Sequence, residues 1–282
     1  MRAQSVIVIT GASSGIGRSA AGTLAADGAT VAVVGRNPER TRAVAAEIGG
    51  EAFLADYDRL DDVRELADAL LARYDRIDVL ANNAGGLVAK RALTVDGHER
   101  TIQSNHLAPF LLTNLLLPRL LEGAATAPVR VISTASSANN LGRIRLDDLD
   151  LRNRRWFGGW PAYGAAKLAN ILFIQELARR TAGTGLEAYS FHPGFVASSF
   201  GADTWPLKLS NAIGQGHIGL SPEAGAVPLV QLASLDDVQA ALDAPSGTFF
   251  DQLKPNGRTS KQAHDPEFAT KFWAVSARET AG

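Results

Sequence analysis

The chain has 282 residues, 46% of them hydrophobic, and its formal net charge is −1. This length and composition suffice for one large domain with a full core or for two small ones. The near-neutral charge provides no global field that would attract nucleic acid. Cysteine is absent, which excludes disulfides, thiolate nucleophiles and cysteine metal sites, and the five histidines lack metal-ligand spacing.

The sequence also gives no sign of a membrane span or a secretory signal. No apolar run approaches the roughly 20 residues that cross a bilayer. The chain passes from Met1 almost directly into an apolar run at Val6, without a small-residue cleavage site. We therefore expect a cytoplasmic protein that does not bind membranes.

Short apolar runs alternate with helical patterns up to about position 250. This alternation predicts a single α/β domain over residues 1–282, built on a doubly wound parallel sheet with helices on both faces. The predicted strands are Ser5 to Thr10, Thr30 to Val34, Ala52 to Leu54, Asp78 to Ala81, Val129 to Thr134, Leu186 to His192 and Gly247 to Phe250.

Local punctuation supports the helices between these strands. Asn37 followed by Pro38 predicts a helix N-cap with proline in the first turn. Gly28, Gly49 and Gly183 stand where helices are expected to end.

Two stretches interrupt the alternation, at 139–162 and 198–220. Excursions at the carboxyl ends of parallel strands are where such folds carry substrate-binding elements, so both are candidate lids. The first is rich in charge, and mixed charges of this kind predict a solvated surface rather than a binding patch. Its charged residues are Arg143, Arg145, Arg152, Arg154 and Arg155, interleaved with Asp147, Asp148 and Asp150.

A glycine-rich turn, Thr10 to Gly17, follows the first strand and opens the first helix. Glycines let the backbone approach a pyrophosphate, and the helix N-terminus offers free N–H groups and partial positive charge. The second strand then ends at Gly35 and Arg36, with no carboxylate to select the ribose hydroxyl of NAD. Arg36 is instead placed to bind the phosphate of NADP, and the alternative is an exposed loop arginine without a ligand. Asp56, after the third strand, is placed to accept a hydrogen bond from the adenine amino group, and only without its neighbours would it be predicted as a helix cap.

Tyr163 and Lys167 are four residues apart, so they are neighbours on one helix face. A free tyrosine has a pKa of about 10, and a shift of three units costs about 4 kcal/mol. An ammonium at about 4 Å supplies roughly that energy at an effective dielectric near 20. We therefore expect Lys167 to lower the pKa of Tyr163 and the pair to act as an acid/base device.

Together these residues resemble the short-chain dehydrogenase/reductase family, whose motifs occur here in family order over nearly the whole chain. The strings around Asn105, Leu141 and Asn170 are most similar to its retinol-dehydrogenase-like branch. The matching pieces are Thr10 to Gly17, Asn82 to Gly85, Asn105 to Leu107, Ser133 to Ser137, Leu141 to Ile144, Tyr163 to Asn170, and His192 to Gly194.

The resemblance implies a Rossmann-type fold and a role for each site residue. Tyr163 would exchange a proton with the substrate, Lys167 would tune it and bind the nicotinamide ribose, Ser136 would hold the substrate oxygen, and Asn105 would anchor a relay water. Val196 would contact the carboxamide. The implied cofactor-binding set is Gly11, Ser13, Ser14, Gly15, Ile16, Gly17, Arg36, Asp56, Asn82, Asn83, Ala84, Gly85, Tyr163, Lys167, Pro193, Gly194 and Val196.

Matching back from Leu141 to the retinol-like pattern assigns the catalytic serine to Ser136 and leaves Ser137 as the alternative. The insertion before Tyr163 is also typical of that branch. Its aromatic residues, Trp156, Phe157 and Trp160, either pack on the protein's own core or line a pocket for an apolar or aromatic substrate.

The sequence thus predicts an NADP(H)-dependent oxidoreductase that interconverts a carbonyl and an alcohol, in the reductive direction. A homodimer or homotetramer is possible. The alternatives are a non-catalytic NADP-sensing regulator of the same fold, and a dehydratase or epimerase of related fold. An intact set of Asn105, Ser136, Tyr163 and Lys167 argues against the sensor, which needs no proton relay.

Overall fold

The computed structural model describes residues 5–196 and 219–281. Its centre is an eight-stranded sheet in the order β3-β2-β1-β4-β5-β6-β7-β8, with all neighbours parallel except β7 and β8. The strands are β1 Val6–Thr10, β2 Thr30–Gly35, β3 Glu51–Leu54, β4 Val79–Asn82, β5 Val129–Thr134, β6 Leu186–His192, β7 Phe249–Asp251 and β8 Lys254–Pro255.

The predicted doubly wound parallel sheet and its seven strands are confirmed, with strand ends displaced by two residues at most. The short strand β8 was not predicted. It pairs antiparallel through Phe250 with Pro255 and Asp251 with Lys254. A two-residue strand is too short to show a periodicity of two in the sequence.

Helices cover both faces of the sheet. Bounds are α1 Gly15–Ala26, α2 Pro38–Ile48, α3 Leu60–Arg73, α4 Arg100–Ile102, α5 Ala108–Ala124, α6 Trp160–Arg180, α7 Pro222–Ser234, α8 Val238–Leu242 and α9 Pro266–Thr280. A π-helical turn, Gln103–Leu107, joins α4 to α5. Short 3-10 helices occupy Ser137–Leu141, Phe157–Gly159 and Lys261–His264.

The predicted helix ends are confirmed. Asn37 accepts a hydrogen bond from Arg40 N at 2.8 Å and so caps α2, whose C-cap Gly49 has the left-handed conformation. Gly28 and Gly183 also have positive φ angles, just after the ends of α1 and α6. Asn and glycine supply the missing hydrogen-bond partner and the positive φ at these termini.

Strand β1 shows how the two faces are built. Val8 packs in one buried cluster with residues of α3 and α5, whereas Ile7 and Ile9 pack in another with residues of α1 and α7. Alternate side chains of a strand point to opposite faces, so a central strand of this sheet is apolar throughout. The arrangement leaves the carboxyl ends of the strands as the polar edge of the sheet.

The last helix, α9, packs against α5 and α6. The Trp273 ring lies 4.9 Å from the ring of Phe110 and 5.6 Å from that of Phe173, measured between centroids. In the described ranges, no helix is long and apolar enough to cross a bilayer. The same ranges contain no group of three His, Asp or Glu side chains arranged to hold a metal.

Candidate active site

The glycine-rich turn between β1 and α1 leaves space for an anion. Gly11 and Gly15 have φ angles of 67° and 55°. A Cβ atom on Gly11 would lie 2.8 Å from the Cα of Ala84, whereas one on Gly15 would meet nothing within 4 Å. The N-cap residue Ser14 makes no side-chain hydrogen bond to the helix. The N-terminal N–H groups of α1 are therefore left for a ligand, and the turn fits a pyrophosphate.

Side-chain hydrogen bonds join the carboxyl ends of β1, β4 and β5. Thr10 Oγ1 accepts from the backbone N–H groups of Asn83 and Ala84, each at 3.0 Å. Asn83 Nδ2 donates to Thr10 O at 3.0 Å, and Asn83 Oδ1 accepts from Thr134 Oγ1 at 3.2 Å. Sequence reasoning assigned Asn83 to the cofactor and missed the part that Thr10 plays. The available signal was a threonine as the last residue of β1.

The side chain of Asn82 does not lie where the cofactor-binding role implied by the resemblance would place it. It is 4% exposed, and its Nδ2 donates to Thr113 Oγ1 of α5 at 2.9 Å. Strand alternation turns Asn82 and Asn83 to opposite faces, so only one of them can reach the edge with its side chain. The structure directs Asn82 into the protein.

Asn105 lies in the π-helical turn and is fully buried. Its Oδ1 accepts from Gly86 N, and its Nδ2 donates to Gly86 O and Thr101 O, each at 2.9 Å. A Cβ atom on Gly85 would overlap Asn105 Oδ1 and would lie 3.3 Å from Lys167 Nζ. Glycine at position 85 therefore allows Asn105 and Lys167 to approach the same backbone. Single π-helical turns in α-helices are frequent at functional sites.

The Lys167 ammonium is buried at the end of β5. Its Nζ donates to Thr134 O at 2.9 Å and lies 5.5 Å from the centroid of the Tyr163 ring. Desolvation lowers the pKa of Lys167 to about 8. The predicted neighbourhood of Lys167 and Tyr163 is therefore present in the structure.

The expected lowering of the Tyr163 pKa is wrong for this structure. Burial raises that pKa, and the hydrogen bond with Ser136 opposes the rise only in part. The desolvation of a buried phenolate costs more free energy than the neighbouring groups offset. The Lys167 ammonium offsets little of this cost, because it is bonded to Thr134 O and is itself desolvated.

Ser136, the predicted substrate-binding serine, meets Tyr163. Its hydroxyl forms a hydrogen bond with the Tyr163 side chain and accepts from Ala138 N at 3.2 Å. Ser136 is partly buried and Ser137 is exposed. Strand β5 ends at Thr134, so the 3-10 helix that follows, rather than strand alternation, sets the direction of the two serines.

A buried polar chain lies behind Lys167. Asn170 Nδ2 donates to Thr134 O at 3.3 Å, the oxygen that also receives Lys167. The Asn170 side chain lies near His106, whose Nε2 lies 2.8 Å from Ser276 Oγ. Among the described residues, Asn170 Oδ1 and His106 Nδ1 have no hydrogen-bond partner. The His106 ring stacks on Phe272 of α9 with 4.8 Å between centroids. The sequence singled out His106 among the histidines only as the neighbour of Asn105, and nothing local in the sequence pairs it with a serine 170 residues away.

Arg36 lies at the edge of the sheet, 64% exposed, with its Nη1 3.7 Å from both Asp56 Oδ1 and Asp58 Oδ2. Asp58 Oδ2 also accepts from Arg100 Nε at 2.6 Å. Asp56 Oδ1 accepts from Asp58 N at 3.2 Å, while the N-cap of α3 is Arg59. The helix-cap reading of Asp56 is therefore wrong, and Asp58 is a charged neighbour that sequence reasoning missed.

The segment after β6 returns to the glycine-rich turn. Val196 forms an isolated parallel bridge with Leu220. A Cβ atom on Gly225 would lie 2.5 Å from Val196 Cγ2 and 3.3 Å from Ile16 Cγ1, which places Val196 beside the start of α1. Gly194 has a φ of 85°, and Pro193 precedes it. The candidate lid at 198–220 lies outside the described residues except for 219 and 220, and so does Trp205.

The other candidate lid, 139–162, divides its aromatic residues between two roles. Trp156 is partly buried on a core cluster and donates through Nε1 to Ala89 O at 2.6 Å. Trp160 is 38% exposed, and its ring is edge-on to that of Tyr163, with 6.1 Å between the ring centroids. The core reading therefore holds for Trp156, whereas Trp160 borders the candidate active site.

Comparison with known proteins agrees with this geometry. The sequence model of the short chain dehydrogenase family matches residues 5–145. The chain is 40% identical to the Streptomyces sp. (strain C5) protein "Putative daunorubicin C-13 ketoreductase DnrU", over 96% of this chain and 91% of that one. It is 36% identical to retinol dehydrogenase 13 of Homo sapiens, over 96% and 83% of the two chains.

Solved structures show the same fold. A protein from Mycobacterium paratuberculosis has a TM-score of 0.78 at 37% identity, covering 99% of this chain and 94% of its own. A short chain dehydrogenase from Escherichia coli CFT073 in complex with NADPH has a TM-score of 0.67 at 28% identity, with 89% and 97% covered. A 3-ketoacyl-(acyl-carrier-protein) reductase from Brucella melitensis in complex with NADH has a TM-score of 0.66 at 26% identity, with 88% and 96% covered.

The buried His106 predicts a stability loss in acid. Burial lowers its pKa from 6.5 to about 3, so the folded protein resists protonation that the unfolded chain accepts below pH 6.5. The contribution of the neutral His106 to the free energy of unfolding is therefore complete above pH 6.5. It is lost as the pH falls toward 3, at about 1.4 kcal/mol per pH unit. His106→Gln should reduce the loss in free energy of unfolding between pH 7 and pH 5 by about 2 kcal/mol, measured by urea denaturation. Equal losses in both proteins would contradict a neutral buried His106.

Proposed function

This chain belongs to the short-chain dehydrogenase family, and we propose that it is an NADP(H)-dependent oxidoreductase that reduces a carbonyl to an alcohol on an apolar or aromatic small molecule. The observation that carries the proposal is the meeting of Ser136 with Tyr163 beside Lys167, at the sheet edge that also carries the glycine-rich turn. A cytoplasmic location and a homodimer or homotetramer remain predictions from the sequence.

The glycine-rich turn and the edge of β4 would hold the cofactor. NADP(H), when bound, supplies the hydride chemistry, and the protein aligns it with the substrate. Gly11 and Gly17 allow close backbone approach, and α1 directs its N-terminus at the pyrophosphate. Lys167, next to Gly85, would bind the nicotinamide ribose. Arg36 would bind the 2′-phosphate with a charge-assisted hydrogen bond.

Tyr163 would donate the proton that completes carbonyl reduction. Because burial raises the pKa of its phenol, the phenol stays protonated near pH 7, which is the state that a proton donor needs. Ser136 would hold the carbonyl oxygen through its hydroxyl. The pKa of Lys167, about 8, lies close to neutral pH, so Lys167 can pass a proton between solvent and Tyr163 through a water at Asn105.

Trp160 supports an apolar or aromatic substrate. Its partly exposed ring contacts the Tyr163 ring, so it would border the reacting carbonyl. The ketoreductase and retinol dehydrogenase names of the relatives support the same substrate class. We also propose that both segments predicted as lids, 139–162 and 198–220, contribute to binding the substrate.

A substrate panel tests the proposed reaction. NADPH absorbance is followed with aromatic ketones, polycyclic ketones and retinoid-like aldehydes side by side. We expect turnover with at least one of these classes. Tight NADPH binding without turnover of any of them would favour the sensor, and a product formed without net NADPH oxidation would favour a dehydratase or epimerase.

Arg36→Ala is expected to raise the KM for NADPH about tenfold to a hundredfold, because a hydrogen bond to a charged group contributes about 1.5–3 kcal/mol. The KM for NADH, which lacks the phosphate, should change little. The matched control is Arg73→Ala, which removes a similarly exposed arginine paired with Glu51. An equal rise for both cofactors would contradict a phosphate contact.

Gly35→Asp would introduce a carboxylate that could bind the ribose of NADH, but it does not test cofactor preference alone. A Cβ atom at position 35 would overlap Thr41 Oγ1, which donates to Asn37 O at 2.6 Å, and would lie 3.1 Å from Ser13 Oγ. The substitution would therefore disturb the start of α2 as well as the cofactor preference.

Tyr163→Phe is expected to abolish turnover and leave the Kd for NADPH nearly unchanged, because the lost hydroxyl acts on the substrate. Lys167→Met should abolish turnover and weaken NADPH binding. It should not lower the free energy of unfolding at pH 7, since it removes a buried ammonium whose desolvation opposes folding. Turnover by Tyr163→Phe near the unmodified rate would contradict the mechanism.

Ser136→Ala is expected to lower kcat by at least about a hundredfold, the effect of losing one oriented donor at a developing oxyanion. Ser137→Ala is the matched control, because Ser137 is exposed and is the first residue of the 3-10 helix that Ser136 caps. Steady-state kinetics of both variants give the comparison. A large loss in Ser137→Ala with a small one in Ser136→Ala would show that the serines exchange roles.

A further inference from the structure

The segment from Arg143 to Arg155 separates its charges. Asp148 is 8% exposed, and its carboxylate accepts from Arg152 N at 2.7 Å. Asp150 Oδ1 accepts from Glu99 N at 2.9 Å and lies 3.3 Å from His98 Nδ1. Both carboxylates thus accept from backbone N–H groups, and Asp150 Oδ2 also pairs with the exposed Arg152 at 3.3 Å. The expected mixing of acidic and basic side chains on a solvated surface holds for Arg145 with Asp147 and for Arg152 with Asp150, and it is wrong for Asp148.

The arginines remain on the outside. Arg145 pairs with Asp147 at 2.8 Å, while Arg154 Nη1 donates to the neutral carbonyl of Arg143 at 2.8 Å. Within residues 5–196 and 219–281, Arg143, Arg154 and Arg155 form no ion pair with a carboxylate, although Asp147 interacts electrostatically with Arg154. A depression in the surface that is largely open to solvent has a volume of about 570 Å³ and is here called the arginine cavity. It is lined by Arg143, Arg145, Asn153, Arg154, Arg155, Phe157 and Pro161.

A second layer of contacts supports this cavity. Arg91 donates through Nη2 to Leu151 O at 3.0 Å and to Arg154 O at 2.7 Å. Its guanidinium also lies over the Trp156 ring, 4.9 Å from the centroid. The backbone that carries the cavity arginines is therefore tied to the body of the protein.

We propose that the arginine cavity binds a small organic anion, a phosphate monoester or carboxylate attached to an aromatic or apolar body. Guanidinium groups match the planar forks of carboxylate and phosphate oxygens. Phe157, 68% exposed, offers a ring to the body of the ligand. The volume falls within the range of about 300–1,000 Å³ that small-molecule sites occupy.

The position of Pro161 makes this a second site, beyond the proposed reaction. Successive residues of an α-helix are about 100° apart, so Pro161 and Tyr163 point about 160° apart around α6. The occupant of the arginine cavity would therefore lie on the side of α6 away from Tyr163. Its binding does not depend on the proposed function.

Phenyl phosphate is the probe, titrated calorimetrically into protein saturated with NADP⁺, so that the glycine-rich turn and Arg36 are already occupied. Benzyl alcohol is its neutral analogue. Arg143→Gln combined with Arg155→Gln should raise the Kd for phenyl phosphate at least about tenfold, the effect of losing one charge-assisted contact. Affinity should also fall with added NaCl, because these charges face solvent.

The control is Arg73→Gln combined with Lys271→Gln, which removes the same net charge from two exposed ion pairs elsewhere. It should leave the Kd for phenyl phosphate within about twofold, since distant exposed charges are screened. An unchanged midpoint of urea denaturation in all variants shows that they are folded.

Four results would overturn the assignment. They are an equal loss of affinity in the control, an unchanged Kd in the Arg143 and Arg155 variant, no binding by the unmodified protein at about 10 mM phenyl phosphate, and binding to phosphatidylglycerol vesicles without binding to the probe. The last would identify a membrane surface in place of a small-molecule site.

Discussion

The carbonyl oxygen of Thr134 is the acceptor on which the geometry of the site depends. It receives Lys167 Nζ at 2.9 Å and Asn170 Nδ2 at 3.3 Å, while the side chain of the same residue bonds to Asn83. Thr134 is the last residue of β5, which lies between β4 and β6 in the interior of the sheet. Two side chains of α6, Lys167 and Asn170, are thereby oriented by a backbone atom that the sheet holds in place. A shift of this strand end would move Lys167 relative to both Tyr163 and the glycine-rich turn.

Burying this apparatus opposes folding. Lowering the pKa of Lys167 from 10.5 to about 8 corresponds to roughly 3 kcal/mol at neutral pH. Asn105 and His106 are buried as well, and each needs a specific partner to offset its desolvation. Asn105 has three contacts at 2.9 Å with Gly86 and Thr101, and His106 has Ser276. A core built for stability alone would place apolar side chains there, so these polar groups are better explained by chemistry than by packing.

What the sequence predicts well is local. Strands such as β5 follow from apolar runs, the cap of α2 from Asn37 beside Pro38, and the anion-binding turn from its glycines, because neighbouring residues decide each of these. Features that depend on distant partners escape such reasoning. The π-helical turn at Asn105 is accompanied by bonds to Gly86, and the buried Asp150 depends on His98 and Glu99. The charge pattern of residues 143–155 predicted a surface of mixed charge. Whether an aspartate there points inward depends on the residues beneath it, which the local sequence does not show.

The position of nearby carboxylates also distinguishes Arg36 from the arginines of the arginine cavity. Arg36 already lies 3.7 Å from the carboxylates of Asp56 and Asp58, so a phosphate bound there would gain the attraction of one cation and meet the repulsion of nearby anions. Arg100 offsets part of that repulsion by bonding to Asp58 at 2.6 Å, which leaves more of the Arg36 charge for a ligand. In the arginine cavity Arg145 is paired with the exposed Asp147, whereas Asp148 is buried and Arg154 donates to a neutral carbonyl. Among the described residues, Arg143 and Arg155 form no ion pair with a carboxylate. Positive charge without a nearby counterion attracts an anion more strongly. The placement of the carboxylates, more than the number of arginines, therefore decides where this chain favours anions.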